Sequence, residues 1–250
     1  MELVKPYKKD FEYSYALGAF PTFELLNKKP EAAIKVLVSS TFTESDKLRK
    51  VCEEKNIPVE VADRQISRLS DKENVFVIGV FRKFDSVLSP DKPHLCLVNP
   101  SNMGNLGTIL RTCLAMDIKD IAIISPGADI FNPKVVRASM GAVFSLRVHY
   151  FESFSAYREE YPSEKPEGTL LPERRYVYSF MLTGTEQLTV SRVPKPDIYT
   201  LVFGNEATGL PEEYADYGEG ILIPQSPEVD SLNLTIAVGI GTYLFRQGRE

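Results

Sequence analysis

Asn105 and Arg111 carry an amide and a guanidinium group six residues apart, just after an apolar run at residues 95–98. The run is typical of a buried strand and the residues after it of a helix, with Gly107 permitting a tight turn. Asn105 could cap the helix or bind a substrate hydroxyl, and Arg111, nearly two helical turns later, suits an anion such as phosphate. The pattern alone leaves two interpretations open: a capped helix with a surface arginine, and a site that both side chains share.

Residues 105–112 form the first of four motifs, and the other three also combine glycine or proline with polar side chains. The second motif is residues 132–142, the third is the glycine-bounded loop 203–210, and the fourth joins residues 223–224 to 231–235. Glycine lets backbone donors and acceptors approach a ligand closely, because it has no side chain to block the approach. An ordinary turn at a strand end is the alternative for each motif.

The four motifs, in this order, resemble those of the SpoU (TrmH-type) RNA ribose 2′-O-methyltransferases of the SPOUT class. The resemblance covers residues 92–247, and the preceding part resembles the ribosomal-protein-like substrate-recognition domain of many such enzymes. It implies methyl transfer from S-adenosylmethionine (AdoMet) to a ribose 2′-hydroxyl of RNA, with S-adenosylhomocysteine as product and no metal. It also implies a homodimer with active sites at the subunit boundary and a deep trefoil knot in the C-terminal region.

The resemblance makes Arg111 the central catalytic candidate. The family proposal assigns this arginine as general base, but a guanidinium with a pKa above about 12 is a poor base near neutrality. The chemically conservative interpretation is that Arg111 holds the phosphate beside the target ribose and stabilises negative charge on its oxygen. Asn105 would then orient the ribose or the arginine.

Three more residues are candidates for the catalytic site. Glu206 is either catalytic or a carboxylate that ties down the glycine-rich loop through backbone N–H groups, and we favour the second role. Ser231 and Asn233 stand at the start of the last predicted helix, where capping is the simple explanation. The resemblance implies a role on the substrate side for both.

Loops after three predicted strands are expected to hold AdoMet. The resemblance carries cofactor contacts onto Gly204, Ile223 and Leu232 in particular. The complete set of expected cofactor-binding residues is Leu182, Thr183, Gly184, Phe203, Gly204, Asn205, Gly209, Ile223, Pro224, Gln225 and Leu232.

Basic residues indicate where RNA could bind, although the formal net charge of −5 counts against a protein coated with nucleic acid. Paired cations occur mainly in the first part of the chain. Each pair alone is more often part of the solvent-exposed surface than of a binding site. A structural role and a second phosphate contact are equally supported for Arg137. The expected RNA-binding residues are Arg137, Lys28, Lys29, Arg82 and Lys83.

The composition of the 250-residue chain, 43% hydrophobic and 25% charged, is typical of a soluble globular protein. Its three widely spaced cysteines argue against a disulfide framework and for a reducing cytoplasm, with each thiol buried. The only histidines, His94 and His149, lack partners at metal-ligand spacing, so no metal site is expected. No apolar run approaches membrane length, so no membrane contact is expected.

The predicted fold is α/β, with an RNA substrate-recognition domain at residues 1–87, a polar linker at 84–93 and a catalytic domain at 92–250. The first domain should be three-layered, with a helix at residues 15–26, a capping box at 43–46 opening a second helix, and strands at 33–38, 59–61 and 75–80. The second should have a mostly parallel sheet, with strands at 95–98, 121–124, 176–181, 199–203 and 220–223, and an exposed loop at 159–175.

The final helix, predicted at residues 234–245, is apolar nearly all round, with Ile236 and Ile240 facing away from the rest. Such a helix is usually buried on more than one side, which favours packing against its own sheet and a second copy of the chain.

Two rival functions are weighed against an RNA methyltransferase. A catalytically silent RNA-binding or assembly factor would keep the fold, but its mark would be loss of Arg111 or of the Gly204 and Ser231 segments, and all are present. A generic nucleotide-binding enzyme is disfavoured, because no Gly-x-Gly-x-x-Gly or phosphate-loop lysine follows the first strand. Ribosomal RNA is the favoured substrate, because of the first domain, and transfer RNA is the alternative.

Overall fold

Two separate β-sheets organise the chain, whose computed structural model describes residues 4–70, 74–163, 175–189 and 196–247. One unit is formed by the chain up to Phe84 together with Asp129–Ser145, and the remainder forms the second unit. The first boundary falls at the start of the predicted linker. Asp129–Ser145, which we call the return segment, lies in the predicted second domain but packs with the first unit.

The helices and strands follow one another along the chain as alternating α and β elements. They are β1 (Tyr13–Leu17), α1 (Ala19–Lys28), β2 (Ala33–Val38), α2 (Ser45–Glu54), β3 (Val59–Val61), α3 (Asp63–Leu69), β4 (Val77–Arg82), β5 (His94–Val98), α4 (Met103–Ala115), β6 (Asp120–Ile124), α5 (Pro133–Ala138), β7 (Arg147–Phe151), α6 (Phe154–Glu160), β8 (Tyr176–Phe180), β9 (Glu186–Gln187), β10 (Tyr199–Phe203), β11 (Glu219–Leu222) and α7 (Leu234–Gln247).

The first unit is built on a four-stranded sheet in the order β1-β4-β2-β3. β4 runs antiparallel to both neighbours, and β2 is parallel to β3. Residues of β2 alternate between two cores, as strand geometry requires: Val36 packs in a cluster with Leu48 of α2, and Leu37 in a cluster with Ile66 of α3. Helices therefore cover both faces, as the three-layer prediction requires.

The return segment completes the first unit. Its helix α5 packs against β1. Phe131 and Phe144 contact the fully buried ring of Phe81 edge-on, at centroid distances of 5.9 and 5.0 Å. The buried Ser14 hydroxyl of β1 donates a hydrogen bond to the Phe131 carbonyl. Apolar contact and hydrogen bonding therefore both hold the return segment in place.

The second unit is built on a seven-stranded sheet in the order β7-β6-β5-β10-β8-β11-β9. Every neighbouring pair is parallel, which confirms the prediction of a mostly parallel α/β sheet. All residues of β6 and β10 are buried, as expected for strands covered on both faces. Helices α4 and α7 pack against each other.

Two predictions for the first unit are wrong. The helix expected at residues 15–26 begins only at Ala19, and Tyr15 belongs to strand β1. Pro21 causes no break, because it is the third helical residue, where a backbone N–H has no partner within the helix. The capping box does not form either, since α2 has Glu44 at its N-cap and no side-chain cap bond.

The exposed loop predicted at residues 159–175 is also incorrect at both described ends. Glu159 and Glu160 finish α6, and residues 164–174 lie outside the described residues. Arg175 is only 3% exposed. It donates hydrogen bonds to three backbone carbonyls near the amino ends of the strands, those of Pro90, Lys92 and Tyr199.

Cys52, Cys96 and Cys113 are buried free thiols, which confirms their predicted burial. Within the described ranges, no helix combines the length and apolarity needed to cross a bilayer. In the same ranges, no group of three or more His, Cys, Asp or Glu side chains is placed to hold a metal ion.

Candidate functional site

A cleft of about 470 Å³ lies at the carboxyl ends of β8, β10 and β11. Its walls are the loops that follow these three strands, together with the first turn of α7, and we call it the strand-end cleft. Open parallel sheets bind ligands at this edge, and the volume suits a nucleoside-sized molecule.

Most residues expected to bind a cofactor line the strand-end cleft. Of the eleven, all but Gly184 and Pro224 are in its wall. Gly184 instead borders a neighbouring cavity, where an added Cβ would lie 2.6 Å from the Ile221 carbonyl carbon. Gly184 is therefore required by the close approach of two backbones.

Gly204 lines the cleft, and it is also required by the turn that follows β10. A Cβ at this position would lie 2.1 Å from the carbonyl carbon of Gly209. Asn205 and Gly209 exchange backbone hydrogen bonds of 3.2 and 2.9 Å, and Gly209 adopts a left-handed φ of 67°. The glycines of the third motif therefore shape the cleft wall rather than only making room for a ligand.

Glu206 connects the third motif to the first. Its carboxylate accepts hydrogen bonds from the backbone N–H groups of Ser101 and Asn102, each 3.4 Å long, and from the Asn105 side chain at 3.2 Å. This geometry matches the structural role that the sequence favours for Glu206. Glu206 also lies in the wall of the strand-end cleft, so its bond to Asn105 joins the first motif to that wall.

The helix α4 is capped by Asn102 and not by Asn105. The Asn102 side-chain oxygen accepts from the backbone N–H groups of Gly104 and Asn105, at 2.9 and 3.0 Å. The capping alternative for Asn105 is therefore wrong, and its side chain is available to bind Glu206.

Arg111 lies on the exposed surface of α4. Among the described residues it has no hydrogen-bond or ion-pair partner, and it does not line the strand-end cleft of its own chain. Six residues of α-helix turn Arg111 about 120° away from Asn105 around the helix axis. A single chain therefore does not bring these two side chains to one point.

The fourth motif is divided between the cleft and a helix cap. Ser231 is exposed and lines the strand-end cleft. Asn233 caps α7, because its side-chain oxygen accepts from the Thr235 backbone N–H at 2.9 Å and from the Thr235 hydroxyl at 2.6 Å. The capping explanation thus holds for Asn233 and leaves Ser231 facing the cleft.

The five expected RNA-binding cations all belong to the first unit. Two of them already have partners. Lys29 forms an ion pair with Glu31 at 3.4 Å. The Lys83 ammonium donates a 2.7 Å hydrogen bond to the Lys9 carbonyl and forms an ion pair with Asp129 at 3.5 Å. In the described part of the chain, the other three are exposed and have no partner. These are Lys28, Arg82 and Arg137.

Sequence reasoning missed the acidic character of the cleft wall. Glu206, Glu212 and Asp230 line it, and none of its described lining residues is basic. The charge becomes visible only when the three loops are known to meet, since the carboxylates are spread along the sequence. An acidic cleft with backbone donors and acceptors at strand ends suits a cationic nucleoside.

A sequence profile of the SpoU rRNA methylase family matches residues 92–243. This range contains all four motifs and every residue of the cleft wall. An uncharacterized tRNA/rRNA methyltransferase from Synechocystis sp. is 30% identical over 154 residues, and the match covers 61% of this chain and 52% of that protein. The chain thus matches about half of that relative's length.

Two further relatives match most of the chain. The 23S rRNA (adenosine(1067)-2′-O)-methyltransferase of Streptomyces laurentii is 29% identical over 216 residues, covering 81% of this chain and 74% of the relative. The crystal structure of an AdoMet-bound rRNA methyltransferase from Sinorhizobium meliloti has a TM-score of 0.76 and 25% identity, covering 94% of this chain and 87% of that one. These matches extend over both units.

Proposed function

Because the chain belongs to the SpoU rRNA methylase family, we propose that it transfers a methyl group from AdoMet to a ribose 2′-hydroxyl of RNA. The observation that carries this proposal is the strand-end cleft, whose wall is formed by the third and fourth motifs and is joined to the first motif by Glu206. The AdoMet-bound Sinorhizobium meliloti structure supports the choice of cofactor.

Bound AdoMet would supply a methyl group that is electrophilic because of the positive sulfur. The residues of the chain must hold donor and acceptor in line and assist loss of the hydroxyl proton. The loops at 203–210 and 223–232 would hold the cofactor, and Ser231 faces the same space. Arg111 would bind the phosphate beside the target ribose and stabilise charge on its oxygen.

A homodimer is part of this proposal. Arg111 lies outside the cleft of its own chain, so a second copy offers a route by which a guanidinium reaches a cleft. Helix α7 presents exposed apolar side chains, Ile236 and Tyr243, that such a partner would cover. We further propose that the C-terminal region is threaded as a trefoil knot, by its resemblance to the family, and that the protein acts in the cytoplasm, where its free thiols stay reduced.

Ribosomal RNA is the proposed substrate. The 23S rRNA methyltransferase of Streptomyces laurentii matches 81% of this chain, more than the family profile alone spans. Exposed Lys28, Arg82 and Arg137 of the first unit would contact the RNA backbone.

The test is transfer of labelled methyl from AdoMet to rRNA and tRNA fractions from cells that lack the gene. Wild-type protein should methylate rRNA, and Arg111→Ala should lower the rate by about 100-fold or more, as loss of a charge-stabilising donor does. Arg111→Lys should keep more activity than Arg111→Ala if the residue binds phosphate. Lys119→Ala, an exposed cation outside the site, is the control. Transfer to neither RNA, or full activity of Arg111→Ala, would refute the proposal.

A further inference from the structure

The strand-end cleft carries an excess of negative charge on its wall. Glu206, Glu212 and Asp230 contribute carboxylates, and no Lys, Arg or His is among its described lining residues. A cleft of this kind distinguishes ligands of the same shape by their charge, because the attraction acts only on a cation.

The three carboxylates are not equivalent. Glu206 is already bound to the backbone of Ser101 and Asn102 and to the side chain of Asn105, so its charge is partly satisfied. Asp230 lies on the exposed loop between β11 and α7. Among the described residues, the Glu212 carboxylate has no hydrogen-bond or ion-pair partner.

Glu212 is also held on a well-anchored element. It opens a short 3-10 turn, Glu212–Ala215, directly after Pro211. Tyr214 of this turn is only 4% exposed, and its carbonyl accepts a 2.9 Å hydrogen bond from the buried Ser179 hydroxyl of β8. The backbone that carries Glu212 is therefore fixed to the core, so this residue of the cleft wall does not need a free loop to become ordered when a ligand binds.

We propose that Glu212 makes the strand-end cleft select AdoMet over S-adenosylhomocysteine, and that it thereby favours release of the product. The inference rests on the proposed function. In the reaction the S–CH₃ bond breaks with its electron pair remaining on sulfur, the methyl joins the ribose oxygen, and the hydroxyl proton passes to solvent water. The sulfur changes from cationic to neutral while the rest of the cofactor keeps its charge, so the attraction to Glu212 is lost at that step.

The test is calorimetric titration of wild-type and Glu212→Gln protein with three ligands. AdoMet carries a sulfonium, sinefungin carries an ammonium in its place, and S-adenosylhomocysteine is neutral there. Glu212→Gln should bind AdoMet and sinefungin about three- to tenfold more weakly, as expected for loss of one partly solvated charge pair. Its affinity for S-adenosylhomocysteine should stay within about twofold of the wild type, since the sulfur of that ligand is neutral.

Two further variants act as controls. Glu213→Gln removes the neighbouring exposed carboxylate, which is not in the cleft wall, and should leave all three affinities unchanged. Asp230→Asn should lower AdoMet affinity less than Glu212→Gln does. Retained binding of S-adenosylhomocysteine reports in each case that the cleft is intact.

The outcomes separate this inference from the proposed function. If the wild type binds none of the three ligands, the proposed function fails. If it binds AdoMet but Glu212→Gln weakens all three ligands equally, or none, then the selectivity role of Glu212 is overturned while the methyltransferase proposal stands.

Discussion

His94 shows at the residue scale how burial fixes a protonation state. Its side chain has no exposed surface, and its ring nitrogens lie 2.9 Å from the Tyr157 hydroxyl and 2.8 Å from the Ser89 carbonyl. Because a carbonyl only accepts, the proton is on Nε2, and Nδ1 accepts from Tyr157. Burial, and then the charge of nearby Arg175, lowers the pKa of His94 well below 6.5, and the charge of Arg147 acts in the same direction.

This depressed pKa predicts a loss of stability in acid. The unfolded chain binds a proton at His94 near pH 6.5 and the folded chain resists it, so the stabilising difference is present above pH 6.5 and is lost as the pH falls below it. The free energy of unfolding should decline by up to about 1.4 kcal/mol per pH unit from His94 alone. Urea unfolding of the wild type and of His94→Gln at pH 7.5, 6.0 and 5.0 measures this decline in the free energy of unfolding. The wild type should lose more stability than the variant, and equal losses in the two proteins would contradict the prediction.

Single residues were predictable from the sequence only where local chemistry decides. Ser231 in the cleft wall and Asn233 near a helix start follow from their motif. The sequence did not predict that Asn102 caps α4 in place of Asn105. A shift of three residues in the start of a helix changes which side chain is the cap. The bond from Asn105 to Glu206 joins residues 101 positions apart, and no local pattern encodes such a contact.

At the scale of elements, burial on both faces made the central strands easy to predict. All five strands expected in the second unit are present within about two residues, the usual uncertainty of element ends. The sequence missed β7 and β9, which are the two edge strands of the sheet. β7 alternates polar and apolar residues, and β9 has only two residues, so neither forms an apolar run.

The return segment belongs by contacts to the first unit although the sequence places it in the second domain, and this position predicts how fragments behave. A fragment of residues 1–84 lacks Phe131 and Phe144, which cover Phe81, and should therefore expose a core aromatic face and melt without a cooperative transition. The same fragment joined to residues 129–145 by a flexible linker should unfold cooperatively. Circular dichroism during heating distinguishes the two, and a cooperative transition for 1–84 alone would show that the return segment is dispensable.

For the whole molecule, helix α7 is divided into a buried and an exposed apolar face. Val238 and Phe245 are buried, whereas Ile236 and Tyr243 are about half exposed. Contact of this exposed apolar face with water is unfavourable in free energy, and a second copy of the chain that covers the face would remove that contact. The apolar pattern around the whole helix predicted the helix and the separate face of Ile236, but the trefoil knot expected from the family leaves no trace in such a pattern.

Ile236→Asp should therefore convert a dimer into a monomer. Light scattering after size exclusion should give the wild type a mass near twice 28.1 kDa and the variant a mass near 28.1 kDa. Val87→Asp is the matched control, because Val87 is an equally apolar, 71% exposed residue in the linker, and it should leave the mass unchanged. A wild type that is already monomeric at micromolar concentration would contradict the prediction.

The polypeptide passes from one unit to the other three times, after Phe84, before Asp129 and after Ser145. The first unit consequently cannot be exchanged between relatives by a single recombination event after residue 84. A crossover at that point would combine residues 1–84 of a relative with the return segment of this chain. Phe131 and Phe144 would then pack against the relative's residues instead of Phe81 and its neighbours. Functional chimaeras with relatives should therefore need three junctions, so that both stretches of the first unit are exchanged together.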